Sequence, residues 1–158
     1  MKLYLKILFF ISFLIISNVL SAQIKEQDFE SIEQTVDKDP KFIIIFIHTD
    51  WCMYCKSMEN STFKNPEIIN KLNNDFYFIS FNAENQETVF FREREFKYIP
   101  NGKKTGVHQL AIELGMINNK ISYPTLTILN DKYEIVFQHS SYLNTKQLNQ
   151  ILEKLNDS

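Results

Sequence analysis

Between Lys41 and His48 the chain reads KFIIIFIH, a continuous β-branched and aromatic run with no polar residue on alternate positions. A strand with one face in water alternates apolar and polar side chains, whereas a strand covered on both faces reads as an unbroken apolar run. This run therefore demands packed layers above and below it, which restricts the fold to a layered α/β arrangement. Asp75 to Asn82, DFYFISFN, is a second strongly apolar strand. Between the two lie helical signals. One helix is expected from Cys52 or Met53 to about Asn60, and another opens at Asn65-Pro66-Glu67, where Asn caps and Pro occupies the first helical position. The order strand, helix, strand implies a crossover and hence a parallel pair.

Upstream, Phe29, Ile32 and Val36 recur at helical spacing and Pro40 stops the pattern, so a helix is expected over 28–38. Downstream, residues 84–106 mix aromatics, charges and Pro100-Asn101-Gly102. Val89-Phe90-Phe91 and Phe96-Lys97-Tyr98-Ile99 are expected to form a small hairpin there. A helix over Val107–Leu114 ends at Gly115. Strands at Thr125–Leu129 and Tyr133–Phe137 flank an Asn130-Asp131 turn, and Asn144 or Thr145 caps a last helix reaching about Leu155. The expected fold is α/β, a central mixed sheet flanked by helices, with an insertion between the second parallel strand and the strand after Pro124.

Met1 to Lys6 carries Lys2 and Lys6 and no acid, and leads into an apolar run, Ile7–Leu20, broken only by Ser12, Ser17 and Asn18. That run is short of the roughly 20 residues of a membrane-spanning helix and matches the hydrophobic region of a secretory signal. Residues 1–22 are expected to be a signal peptide cleaved after Ala22, and 23–158 a single exported domain. An uncleaved membrane anchor is the alternative. With a formal net charge of −2 and no basic stripe, nothing points to nucleic acid.

The chain has two cysteines, Cys52 and Cys55. As a staple the pair is poor: closing a four-residue loop stabilises by about 2 kcal/mol, against nearly 5 for a hundred-residue loop. Its position favours chemistry. At the start of a helix, the backbone N–H groups and the positive end of the helix dipole favour a thiolate at Cys52, the species that attacks disulfides. Cys52 is the expected nucleophile. Cys55, one turn further in and less exposed, is placed to attack the resulting mixed disulfide and release the reduced client.

The motif follows a buried strand, precedes a helix and lies upstream of Ser122-Tyr123-Pro124-Thr125, where a proline opens the next strand. In this arrangement the chain resembles the thioredoxin superfamily. Thr49-Asp50-Trp51-Cys52-Met53-Tyr54-Cys55-Lys56, with Glu59, Thr62-Phe63 and Pro66, is similar to the periplasmic C-terminal domain of the disulfide reductase DsbD, over about residues 28–155. The resemblance implies a thioredoxin-like fold and a redox-active Cys52–Cys55 disulfide needing no other cofactor. It also implies a cis peptide at Pro124, a backbone edge at Tyr123 that pairs with an extended client segment, and a membrane electron donor of the DsbD/CcdA type. The implied activity is that of a periplasmic or extracytoplasmic thiol–disulfide oxidoreductase that reduces protein disulfides.

Some positions depart from that pattern. Thioredoxins carry a buried acid six residues before the first cysteine, often with a lysine from the neighbouring strand; here those positions hold Phe46 and Ser80. Glu59, one turn beyond Cys55, is the leading substitute for proton handling, the alternative being an ordinary solvated carboxylate. His48 is a candidate base or thiolate partner, or simply a packed strand-end histidine. Trp51 and Tyr54 are expected to form an apolar collar, with Met53 exposed as a client contact. Ser141 stands near where thioredoxins have a client-facing glycine, and the 85–106 segment is either a partner surface or decoration. His108 and His139 carry no motif. Two other readings use the same cysteines: a disulfide oxidant or isomerase, and a copper- or zinc-binding module with His48 as a further ligand, for which two sulfurs fall short of four ligands.

Overall fold

A computed structural model describes residues 23–157; the expected signal segment, 1–22, lies outside the described residues. The first helix, α1 (Phe29–Val36), starts at Asp28, whose carboxylate accepts the Ser31 N–H at 2.7 Å. Strand β1 (Phe42–His48), helix α2 (Met53–Asn60), a 3₁₀ turn (Thr62–Lys64), helix α3 (Pro66–Asp75) and strand β2 (Phe76–Asn82) follow. Asn65 caps α3 by accepting from the backbone N–H groups of Glu67 and Ile68, with Pro66 at the first helical position. Next come two hairpins, β3 (Val89–Phe91) with β4 (Arg94–Phe96), and β5 (Tyr98–Pro100) with β6 (Gly106–His108). Helix α4 (Gln109–Gly115), a short hairpin β7 (Met116–Ile117) and β8 (Lys120–Ile121), strands β9 (Thr125–Leu129) and β10 (Ile135–His139), and helix α5 (Thr145–Asn156) complete the chain. Asn144 and Gln147 form a capping box at α5.

The main sheet has the order β10-β9-β1-β2, with β1 and β2 parallel and the other pairs antiparallel. Strand β1 is central, which explains its composition. Ile43, Ile45 and Ile47 face a core that includes Phe29, Ile32 and Val36 of α1 and Leu110, Ala111 and Leu114 of α4. Ile44 and Phe46 face the opposite core, among Cys55 and Met58 of α2, Ile68 and Leu72 of α3, and Leu148 and Leu152 of α5. Burying each such side chain contributes about 1.5–3 kcal/mol, so the strand that carries the site is also a principal source of cohesion. No helix among the described residues is long and apolar enough to cross a membrane.

The insertion departs from the expected single hairpin. Arg92 and Glu93 both take positive φ, 52° and 57°, making a two-residue turn that pairs Val89 with Phe96. Phe96 therefore closes the first hairpin, while Tyr98 and Ile99 enter the second, opposite His108 and Val107. The expected helix start at Val107 moves to Gln109 for the same reason: Val107 and His108 are held in β6. Phe91 packs edge-on against Phe29 at 5.1 Å, so the first hairpin rests on α1. Strand β10 begins at Ile135, later than expected, because Asn130 accepts the N–H groups of Lys132 and Glu134 and Tyr133 sits at φ 64°. Asn118 and Asn119, both at positive φ, form the turn between β7 and β8.

Candidate redox site

The motif bridges the C-terminal end of β1 and the N-terminal end of α2. The Cys52 N–H donates to the Thr49 carbonyl at 3.2 Å, closing a turn directly after the strand. Cys52 is the N-cap of α2, and its sulfur accepts the backbone N–H of Cys55 at 3.1 Å. The two cysteines are joined by a disulfide with their Cα atoms 5.2 Å apart. They are not equivalent. Cys55 is wholly buried among the core side chains, whereas Cys52 keeps 6% of its surface. A helix N-cap supplies unpaired N–H donors and a positive potential, and both act on the outer sulfur.

Trp51, Met53 and Tyr54 are exposed around the pair rather than packed in the core, with Met53 at 83%. Trp51 meets Tyr123 edge-on at 5.9 Å, and its indole N–H donates to Glu84 Oε2 at 3.1 Å. The Tyr123–Pro124 peptide is cis, and the Thr125 hydroxyl donates to the Ser122 carbonyl at 2.7 Å across it. A cavity of about 350 Å³ opens here, lined by Tyr54, Tyr123, Pro124, Ser140, Ser141 and Tyr142. The Tyr123 hydroxyl is buried without a hydrogen-bond partner among the described residues. Burial, with the negative charge of Glu84 adding to it, pushes that phenol up to about 12, so it stays protonated.

Phe46 and Ser80 stand opposite one another in the β1–β2 register. Phe46 packs edge-on against Phe63 at 4.9 Å and, with Ser80, Glu59, Lys64 and Glu26, lines a cavity of about 210 Å³. Glu59 is half-buried at the border of this space. His48 stacks on Phe46 with ring centroids 5.3 Å apart and turns its Nδ1 toward Glu59 Oε1, 3.8 Å away. Burial lowers the His48 pKa; the charges of Glu59 and Asp50 oppose that and Lys56 reinforces it. The imidazole is therefore mostly neutral at pH 7, and its approach to Glu59 is not a full ion pair there.

Other contacts at the site were not anticipated from the sequence. Asn82 donates to Asp50 at 3.1 Å and the Ala83 N–H donates to the His48 carbonyl at 2.8 Å, so the end of β2 is tied to the motif loop. Glu84 and His108 carry no sequence signal, because their partners are distant in the chain. His108 is fully buried. Its Nδ1 accepts the Leu110 N–H at 3.2 Å, which leaves Nε2–H to donate to the Glu87 carbonyl at 3.1 Å, and burial lowers its pKa. Its own N–H donates to the Ala83 carbonyl at 2.7 Å, so it anchors the insertion's stem rather than the redox chemistry. His139 stacks on Phe137, at 6.5 Å between centroids. Among the described residues no group of three or more His, Cys, Asp or Glu is gathered as metal ligands.

The family model of a thioredoxin-like domain matches residues 29–156. Among solved structures, the chain is similar to a thioredoxin from Thermus thermophilus, with a TM-score of 0.61 at 14% identity over 85% of this chain and 88% of that one. It is also similar to a DsbH oxidoreductase, with a TM-score of 0.60 at 14% identity over 88% and 89%. A third is the DsbD C-terminal domain of Neisseria meningitidis in its reduced form, with a TM-score of 0.53 at 15% identity over 80% and 91%. At these identities the likeness is one of fold. No curated protein sequence matches the chain significantly.

Proposed function

Since the chain belongs to the thioredoxin-like domain family and carries the C-x-x-C disulfide of its thiol–disulfide oxidoreductases, we propose that it reduces protein disulfides outside the cytoplasm. The observation that carries this reading is the asymmetry of the pair: an outer sulfur on a helix cap beside a groove, and an inner one with no exposure. In the reduced protein the Cys52 thiolate attacks one sulfur of the client's disulfide, forming a Cys52–client bond and releasing a client thiolate that takes up a proton. Cys55 then loses its proton to a base and attacks Cys52. This restores the Cys52–Cys55 disulfide and releases the second client thiolate, so two electrons pass to the client.

Because Cys55 is buried, its proton needs an acceptor nearby. Glu59 lies one turn along α2, where positions four apart are neighbours, and borders the cavity that Phe46 and Ser80 also line. We assign Glu59 that role, with His48 facing it. Tyr123 and Pro124 offer the backbone edge on which an extended client segment lies, and main-chain pairing of this kind tolerates many sequences. Trp51, Met53 and Tyr54 supply apolar contact around Cys52. The dithiol is regenerated by an external donor, for which a membrane protein of the DsbD/CcdA type fits the resemblance, and export fits the apolar N-terminal run.

The same geometry also runs in reverse, as an oxidant or isomerase, so the potential of the pair decides the direction. Equilibration with glutathione should give a value nearer the roughly −270 mV of thioredoxin than the roughly −120 mV of the strong oxidant DsbA. A value at the oxidising end would overturn the reductase assignment. Stoichiometric copper or zinc binding by a protein unable to reduce insulin would replace it with metal carriage.

A further inference from the structure

His48 ends β1 two residues after Phe46 and so lies on the same face of the strand, the face whose core cluster includes Cys55. The imidazole is held in place. Only 16% of the side chain is exposed, and the ring stacks on Phe46 with 5.3 Å between centroids and 18° between planes. Its Nδ1 lies 3.8 Å from Glu59 Oε1, a gap that one water or a turn of the more exposed Glu59 side chain closes. The other charges that act on it are Lys56, on the helix that carries Glu59, and Asp50 on the motif loop; its register partner on β2 is the neutral Asn82. Glu59 borders a cavity that Glu26 and Lys64 also line. Glu59 alone is a weak acceptor for a thiol proton. Ordinary values of about 8.5 for a thiol and about 4.3 for a carboxylate make the transfer unfavourable by about 10⁴, whereas an imidazole at about 6.5 reduces this to about 10². Burial takes back part of that advantage at His48, and the charges of Glu59 and Asp50 return some of it.

We infer that His48 acts through Glu59 as a positioning residue for the proton of the resolving step: Glu59 receives the proton of the Cys55 thiol, and the neutral imidazole takes it up at Nδ1, so that the pair carries it as an imidazolium beside a carboxylate. The inference rests on the reading that Glu59 serves Cys55 in the reduction of protein disulfides. In that step the Cys55 sulfur bonds to Cys52, the bond from Cys52 to the client breaks, and its electron pair leaves on the client thiolate. The proton held by His48 then passes to solvent. The opposite charges of the loaded pair favour each other, whereas a lone protonated Glu59 gains nothing of the kind. The attack by Cys52 that comes first starts from a thiolate and needs no base, so losing the imidazole should slow resolution alone.

A nitrobenzoate disulfide separates the two steps, since it releases one coloured thiolate when Cys52 attacks and a second when Cys55 resolves. In the full chain, reduced and mixed with one equivalent by stopped flow, His48→Phe keeps a ring on Phe46 and should slow the second release by about threefold to tenfold at pH 7, leaving the first unchanged. In the unaltered protein the second release should rise with pH through a value below 6.5, as the imidazole loses its proton. His48→Phe should move that limb down into the carboxylate range. His48→Gln keeps a polar contact to Glu59 but does not titrate, and should match His48→Phe. Glu59→Gln should also slow the second release, and adding His48→Phe to it should slow it no further. An unchanged second release or pH profile in His48→Phe overturns the inference, as do equal losses in both releases, restoration by His48→Gln, or a further loss in the double variant. If the unaltered protein does not reduce insulin, the proposed function fails instead, and the two releases still decide whether His48 serves Cys55.

Discussion

Oxidising the pair should stabilise this protein by no more than about 2 kcal/mol. Cys52 and Cys55 close a loop of four residues, for which the chain-entropy relation gives about 6 cal/mol/K, or about 1.9 kcal/mol at 25 °C. The reduced protein recovers part of this. Its Cys52 sulfur occupies the N-cap position, where the Cys55 N–H already points at it in the disulfide form; ionising that sulfur raises the bond from about 0.5–1.5 kcal/mol to about 1.5–3 kcal/mol, a gain of about 1 kcal/mol. The two contributions oppose each other, so the net gap between oxidised and reduced forms should fall between about zero and 2 kcal/mol. Urea unfolding of both forms at pH 7, followed by circular dichroism, measures it directly, provided the slopes agree. In a thermal scan of a domain this size the same gap is at most about 7 °C. An oxidised form more stable by about 4 kcal/mol or more would show that the disulfide is a staple, and would refute the argument that its position favours chemistry.

Cys52→Ser should abolish insulin reduction and form no covalent adduct, whereas Cys55→Ser should accumulate a mixed disulfide visible on non-reducing gels; the opposite pattern would reverse the two roles. Glu59→Gln removes a negative charge one turn from Cys55 and should lower a thiol pKa by about half a unit to one unit, read from thiolate absorbance; an unchanged titration returns Glu59 to an ordinary surface carboxylate. His108 has a folded pKa below the 6.5 of the unfolded chain, so the unfolded state binds more protons between those values and stability rises with pH there. Its contribution is complete above about pH 6.5 and is lost as pH falls through the folded value, with His48 acting in the same direction. His108→Asn, which keeps a capping side chain and removes the titration, should flatten the fall in urea midpoint between about pH 7 and 5; an unaltered slope would refute this.

The main sheet was legible because its cause is local. Two-sided burial forces β1 to read as an unbroken apolar run, and Asp28, Asn65 and Asn144 announce the helices that cover it. The insertion was not, because its register depends on Arg92 and Glu93 adopting positive φ, a conformation their residue types do not advertise. That turn decides whether Phe96 belongs with Val89 or with the residues after it. Glu84 was illegible for a different reason: its partner Trp51 lies 33 residues away, and only the end of β2 brings them together.

Periodicity explains why the two cysteines differ in burial. In α2 the buried residues are Cys55 and Met58, three apart and on one face, the face that closes over Ile44 and Phe46. Cys52 would continue that series one turn earlier, but it is the cap, where the helix has not begun and its side chain meets the edge of the core. A single hydrophobic stripe therefore assigns one sulfur to the interior and the other to the rim. The same stripe sets Glu59 at its border, four residues beyond Cys55 and facing the cavity beside Phe46. With a phenyl ring in β1 and a serine opposite it, neither of those two strand positions supplies an acid; the carboxylates that border the space are Glu26, bridged to Phe78 at the sheet edge, and Glu59, of which Glu59 is the one on the helix that carries Cys55.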